Sequence, residues 1–316
     1  MAIVGSKKRM GWIGWTVTTL VLLVAAGFGV WRYAHATGAV GLLDLADRTI
    51  GGTAGTQVVS SGVRYGSLPA QRLDVIAPNA PGPHPVLVFI HGGGWHSGRP
   101  EDYHFIGRTF ARAGYVVVLP GYRLGPDGIY PHMLEDGAAA VAWTAQNVAR
   151  FGGDPDQVVL MGHSAGAHTA AMLGLERQWL GRQGLPDGFV KGVVGLSGPY
   201  DFHPFTSDSA RNAFGHVEDP RLTQPITFAR SDAPPMLLLT GDADTTVKPR
   251  NSRVLAKALA EKGGQAELVI LPGVDHAGPV LKLARPFSRD ASVSAPVLDF
   301  LARLRQPSAP IQAPAE

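Results

Sequence analysis

The chain has no cysteine among its 316 residues, which excludes disulfides, thiolate metal ligands and a cysteine nucleophile. Aromatic residues make up only 8% and charged residues 17%, with a net charge of +3. The arginines are dispersed and no basic run interleaves with aromatics, so nucleic acid is not an expected partner. Neither a G-x-G-x-x-G fingerprint nor a Walker loop is present, and no cofactor is expected. His91 with His96, and His163 with His168, are five apart, so neither pair has the i, i+4 spacing of a helical zinc motif, and no metal is expected.

Charge is also missing from one long stretch, between Arg9 and Arg32. That gap suffices for a helix to cross about 30 Å of hydrocarbon. Lys7, Lys8 and Arg9 precede it and Arg32 alone follows closely, so the positive-inside bias keeps the N-terminus cytoplasmic and sends the rest outward. Ala34-His35-Ala36 resembles a signal-peptidase site, but the apolar run is longer than the usual signal core. Residues 1–36 are therefore read as a membrane anchor or a removable signal. The remainder is expected on the extracytoplasmic, periplasmic side, or secreted if the segment is removed. Residues 37–56 follow as a linker or short amphipathic helix carrying Val40, Leu42, Leu43, Leu45 and Ala46.

From Gln57 onward, apolar runs alternate with segments of helical period. Strands are expected near Gln57 to Tyr65, Gln71 to Ile76, Pro85 to Ile90, Tyr115 to Leu119, Gln157 to Met161, Val190 to Leu196, Pro235 to Thr240 and Glu267 to Leu271. Helices are expected at Tyr103 to Ala113, Pro131 to Arg150, Ala165 to Leu175, Ser252 to Lys262 and Ala295 to Leu304. In the second of these, Leu134, Ala138, Val141, Ala145 and Val148 form one apolar stripe. The alternation implies an α/β domain over residues 57–305, with a mostly parallel eight-stranded sheet flanked by helices. Ligands in such sheets collect at the carboxyl ends of strands. Residues 203–233, interrupted by Pro204, Pro220 and Pro225, read as a cap-like insertion, and residues 306–316 as a disordered tail.

The chemistry centres on Gly162-His163-Ser164-Ala165-Gly166, which fits G-x-S-x-G after the buried run Val158 to Met161. Small residues on either side let the chain turn sharply from strand to helix and push Ser164 outward. A serine hydroxyl needs a neutral imidazole to take its proton and a carboxylate to orient that imidazole. His276 is the one histidine downstream of His216, in the loop after the last expected strand. For the acid, Asp242 and Asp244 both follow the strand ending at Thr240, and spacing does not separate them. Asp275 is disfavoured, because adjacent residues on an extended loop point apart. The oxyanion donors proposed are the amides of Gly92 and Gly93, in His91-Gly92-Gly93-Gly94-Trp95, together with that of Ala165. Trp95 either walls a substrate pocket or anchors the glycine loop.

HGGGW (91–95), GYRL (121–124), YP (130–131), FGGDP (151–155), GHSAG (162–166), GDADTTV (241–247) and DH (275–276) occur in that order. Together they resemble the α/β-hydrolase superfamily, in its esterase/lipase branch near hormone-sensitive-lipase-like, bacterial feruloyl-esterase-like and kynurenine-formamidase-like proteins. The resemblance covers roughly Val58 to Leu304 and implies an α/β-hydrolase fold. It implies a Ser164, Asp244, His276 triad, with Asp244 standing three before Val247, and oxyanion donors at Gly92, Gly93 and Ala165. His91 is implied to support the glycine loop, and His163 to pack. Ala277-Gly278-Pro279 departs from the GF common in lipase-like relatives. The expected activity is hydrolysis of small carboxylic esters through an acyl-enzyme. The alternatives are an arylformamidase or other amide hydrolase, and a non-catalytic binding protein on the same fold.

Overall fold

The alternating pattern folds, in a computed structural model of the chain, into one eight-stranded sheet with helices on both faces. The structure describes Trp15, Thr18, Thr19, Val21, residues 40–287 and residues 289–305. The membrane segment expected at 1–36 lies outside the described residues except for Trp15, Thr18, Thr19 and Val21, which are helical; the tail at 306–316 lies wholly outside them. Among the described residues no helix is long and apolar enough to cross a membrane. The chain divides into two units, Met1–Leu42 and Leu43–Glu316, and the sheet belongs to the second.

The strands are β1 (Thr56–Arg64), β2 (Arg72–Pro78), β3 (His84–Ile90), β4 (Val116–Pro120), β5 (Gly153–His163), β6 (Val190–Leu196), β7 (Met236–Gly241) and β8 (Ala266–Leu271), in the order β1-β2-β4-β3-β5-β6-β7-β8. Only β2 runs against its neighbours, pairing antiparallel with β1 and β4, while β4 through β8 pair in parallel. The central strands are apolar without alternation because both faces are covered, so β4 and β7 are buried along their whole length. β5 begins earlier than its apolar run, because His84 also pairs with Gly153 across a register shift.

Residues 40–51 are helical (α1). They are followed by α2 (His104–Arg112), α3 (His132–Asn147), α4 (Ala165–Leu175), α5 (Arg177–Gly181), α6 (Asp208–Phe214), α7 (Arg250–Glu261), α8 (Gly278–Leu281) and α9 (Ser294–Leu304). The stripe of α3 buries Leu134, Ala138 and Val141 in one cluster with Val86, Val88 and Leu160 of the sheet, Met172 of α4 and Leu255 of α7. On the other face Gly107 of α2 passes close to Ile76, and Phe300 and Leu304 of α9 lie against Gly192. The expected helix from Pro131 to Arg150 stops at Asn147, tightens into a 3₁₀ turn over Val148–Phe151 and ends on Gly152 at φ 79°.

The sheet-bearing unit takes in residues 43–51, which the sequence pattern placed ahead of the domain. Arg108 of α2, itself buried, donates from Nε to Asp47 at 2.7 Å and from Nη2 to Asp44 at 2.6 Å. The second oxygen of Asp47 accepts the Arg285 amide at 2.7 Å. This cluster holds the end of α1 against α2.

Candidate active site

Ser164 sits between β5 and α4 at φ 54° and ψ −120°, a conformation that costs a non-glycine residue energy. The bend closes because its neighbours lack side chains. A Cβ on Gly162 would lie 2.3 Å from the backbone of Gly166, and one on Gly166 would lie 2.0 Å from the Ile90 carbonyl oxygen. Ala165 opens α4, so its N–H has no intrahelical acceptor. Every residue of α4 is buried, so the serine rests on a closely packed support.

His276 lies in the loop after β8 and brings Nε2 to 2.9 Å from Ser164 Oγ. Its Nδ1 is 2.8 Å from Asp244 Oδ2. Asp244 follows β7, its side chain fully enclosed, and its other oxygen accepts the amides of Thr246 at 3.0 Å and Val247 at 2.8 Å. Burial on its own would raise the Asp244 pKa. The hydrogen bond to His276, the Val247 amide, the charge of His276 and the Thr246 amide together outweigh burial and hold it below the ordinary carboxylate value. Asp242 does something else: Oδ1 accepts the Gly273 amide at 2.6 Å and ties the two loops together. Asp275 accepts the Gly278 amide at 2.9 Å, at the start of α8.

The glycine loop after β3 passes directly beside the serine. A Cβ on Gly92 would lie 2.9 Å from the His163 carbonyl oxygen and 3.3 Å from Ser164 Cβ. At Gly93, φ is 118° and an added Cβ would meet the Ser97 carbonyl oxygen at 2.0 Å. The Gly93 carbonyl accepts from His96 N, Ser97 N and Ser97 Oγ, which fixes the turn. His91 is buried, stacks on Tyr122 with ring centres 4.5 Å apart, and donates from Nδ1 to the Gly92 carbonyl at 2.7 Å. The Tyr122 hydroxyl donates to the His91 carbonyl at 2.9 Å. Burial lowers the His91 pKa to about 4, against its Gly92 hydrogen bond and the charge of Asp102.

Trp95, at φ 61°, packs into the aromatic cluster beside the glycine loop. Its ring meets His168 edge-on at 5.5 Å and Phe214 at 4.8 Å, and stacks on Phe202 at 6.1 Å. It also lines a cavity of about 540 Å³ together with Gly94, Ile129, Ser209 and Ala213, where α6 of the insertion closes over the glycine loop. His168, one turn below the serine, donates from Nε2 to the Thr223 carbonyl at 2.8 Å and so ties the insertion to α4. A second cavity, about 300 Å³, lies by Gly174, Val190 and Pro235 at the amino ends of β6 and β7, away from Ser164.

The pattern of residue types did not signal one further group. His163, the variable residue of G-x-S-x-G, donates from Nε2 to the His276 carbonyl at 3.0 Å. Burial, assisted by the adjacent charge of His276, lowers its pKa to about 4.

A mostly parallel sheet with a serine at a strand-to-helix elbow, and with His276 and Asp244 on the loops after its last two strands, defines an α/β-hydrolase of the esterase/lipase branch. Within it the chain belongs to the BD-FAE family, which matches residues 73–259. It is similar to isoprenylcysteine alpha-carbonyl methylesterase ICME of Arabidopsis thaliana, 31% identical over 240 residues, 69% of this chain and 56% of that protein. It is also similar to esterase LipC of Mycobacterium tuberculosis (strain ATCC 25618 / H37Rv), 32% identical over 246 residues, 71% of this chain and 60% of that one. The chain thus spans little more than half the length of these relatives. Among solved structures, esterase B from Lactobacillus rhamnosis (HN001) shares the fold, with a TM-score of 0.69 at 20% identity over 89% of this chain and 96% of that one.

Proposed function

We propose that this chain is a carboxylic ester hydrolase that works through an acyl-enzyme on Ser164. The observation that carries the reading is the unbroken line Ser164 Oγ, His276 Nε2, His276 Nδ1, Asp244 Oδ2, with contacts of 2.9 and 2.8 Å, standing at the carboxyl ends of the strands. Ser164 Oγ attacks the acyl carbon while its proton passes to His276 Nε2. The charge that develops on the carbonyl oxygen falls to the amides of Gly92, Gly93 and Ala165. Asp244 keeps the proton on Nδ1 and stabilises the imidazolium. Collapse of the intermediate breaks the ester bond, and His276 returns its proton to the departing alcohol. Water then repeats the sequence on the acyl carbon, releasing the acid and restoring the serine.

Support for an ester rather than an amide comes from the relatives, which are named esterases and a methylesterase. The cavity beside Trp95 is the place for one side of the ester, and a series of graded acyl length tests that. The uncharged stretch between Arg9 and Arg32 carries the further proposal that the domain is held at, or released from, the extracytoplasmic face of a membrane. Fractionating the expressed full chain and sequencing its mature N-terminus decides between the two.

The deciding experiment is Ser164→Ala. The variant should melt at or above the wild-type temperature, because the strained backbone loses only a hydroxyl, and should lose nearly all hydrolysis of p-nitrophenyl acetate. A fluorophosphonate should label wild type and not the variant. Wild-type turnover in Ser164→Ala, or a wild-type chain inert to both reagents, would overturn the reading.

A further inference from the structure

His163 stands between the two halves of the site that must stay in register. On one side its Nε2 reaches the His276 carbonyl at 3.0 Å, and the two imidazole rings lie 5.1 Å apart, tilted by 40°. On the other side the glycine loop leaves no gap: a Cβ on Gly92 would lie 3.0 Å from His163 Nδ1. The backbone of His163 closes β5, paired with Leu196 of β6, so the ring projects from a strand in the middle of the sheet. His276, by contrast, belongs to a loop. The flanking residues are held by loop contacts alone, Val274 accepting the Ala243 amide at 3.2 Å and Asp275 the Gly278 amide at 2.9 Å.

A carbonyl oxygen only accepts, so His163 Nε2 must carry the proton and donate. We propose that His163 is a positioning residue that fixes the backbone of His276 through this bond. It thereby holds the His276 ring at Ser164 while Nε2 gains and gives up its proton; the inference rests on the catalytic reading above. The arrangement works only with a neutral His163, since a second cation 5.1 Å from His276 would oppose formation of the imidazolium. Burial supplies that neutrality, keeping the ring uncharged down to about pH 4. Ser164 and Asp244 determine what His276 can do chemically. His163 determines where it stands.

Three substitutions separate the donor from the bulk of the ring. In His163→Gln the side-chain amide nitrogen reaches about as far as Nε2 and keeps an N–H for the carbonyl. His163→Phe keeps a ring and removes the donor, whereas His163→Asn keeps an N–H that is too short to reach. The Phe and Asn variants should lose about 10- to 100-fold in kcat on p-nitrophenyl acetate, the scale of a misplaced catalytic group, with KM little changed. The rate of labelling by a fluorophosphonate should fall in parallel. The Gln variant should recover to within about fivefold of wild type on the same scale. Gln as slow as Phe and Asn, or Phe at the wild-type rate, would overturn the proposal.

A spectroscopic arm is independent of turnover. The low-field proton resonance of His276 Nδ1–H, hydrogen-bonded to Asp244, should persist in wild type and Gln and broaden or vanish in Phe and Asn. That signal reports the position of His276 whether or not the chain hydrolyses any ester. A failed turnover assay with this pattern intact therefore counts against the proposed function, and an unchanged resonance in all three variants counts against His163. If Phe does not fold, Asn and Gln carry the comparison.

Discussion

Asp244 Oδ2 lies 2.8 Å from His276 Nδ1, while Asp242, two residues earlier, spends its carboxylate on the Gly273 amide at 2.6 Å. The two acids share a turn and differ entirely in what they hold. Asp244→Asn removes the charge that stabilises the imidazolium and allows the wrong tautomer, so kcat should fall by about a thousandfold or more. Asp242→Asn still offers a carbonyl oxygen to Gly273 and should stay within about threefold of wild type. Steady-state kinetics on one ester decides it, and equal losses in both variants would contradict the assignment.

The glycines of the two loops differ in what an added methyl would meet. Gly166→Ala drives a methyl to 2.0 Å from the Ile90 carbonyl oxygen, a backbone atom that cannot yield without opening the β3 to β5 pairing. It should destabilise by about 3 kcal/mol or more, visible in the melting temperature. Gly92→Ala meets the His163 carbonyl oxygen at 2.9 Å, His163 Nδ1 at 3.0 Å and Ser164 Cβ at 3.3 Å, a milder clash than the 2.0 Å one at Gly166, so the glycine loop must move away from β5. Its melting point should fall far less than that of Gly166→Ala, and kcat should drop by about 100-fold as the amides move off the oxyanion. The reverse pattern, with Gly92→Ala unfolded and Gly166→Ala merely slow, would show that the two loops had been assigned the wrong roles.

Much of this was legible in advance. The buried strands β3, β4, β5 and β7 read as unbroken apolar runs because helices cover both faces, and α3 announced its inner side through Leu134, Ala138 and Val141. The elbow was visible because Gly162 and Gly166 are sterically required. The rest was less legible. Spacing does not separate Asp242 from Asp244; the resemblance singled out Asp244 by its place three before Val247, and the loop geometry turns that carboxylate toward His276 and Asp242 toward Gly273. The partner of His163 lies 113 residues away and is a backbone carbonyl, to which no residue type is a clue. The helices α5, α6 and α8 are four to seven residues long, too short to complete two turns of an amphipathic period.

The docking of residues 43–51 escaped notice for the same reason: it depends on Arg108, 61 residues beyond Asp47. Removing that cation leaves two carboxylates in a buried place, so Arg108→Met should cost about 3 to 5 kcal/mol. Burial already raises the Asp44 pKa, against the opposing charge and hydrogen bond of Arg108. Without the arginine Asp44 should accept a proton more readily, so the deficit relative to wild type should shrink between pH 8 and pH 5. Hydrogen exchange should show residues 43–51 opening early in the variant. An absent deficit would mean that the cluster contributes nothing to holding α1, and a deficit equal at both pH values that its contribution is packing rather than charge.

Acid should unfold this chain more sharply than its carboxylates alone would suggest, because three histidines are buried neutral. His91, His163 and His168 each fall from an ordinary value of 6.5 to about 4, with burial the largest cause in every case. As pH falls, the unfolded chain takes up these protons from about 6.5 downward while the folded chain refuses them until about 4. The unfolded state thus binds more protons across that window, and stability must fall as pH falls. Each histidine withdraws about 3 kcal/mol once the pH is below both values, so the three together approach a whole domain's stability of about 5 to 15 kcal/mol. Asp244, whose pKa is held below the ordinary value, adds a loss of the same sign at still lower pH. Melting temperature should be level from pH 8 to about 7, decline steeply below about 6 and reach ambient temperature near pH 4 to 5. His168→Leu, which replaces one of the three by a side chain that cannot charge, should be less stable at pH 8 for want of the Thr223 bond yet lose less on acidification. A wild-type melting temperature flat down to pH 4.5 would mean that these rings are hydrated, and the packing of Trp95, His168 and Phe214 around the glycine loop would then have to be looser than drawn.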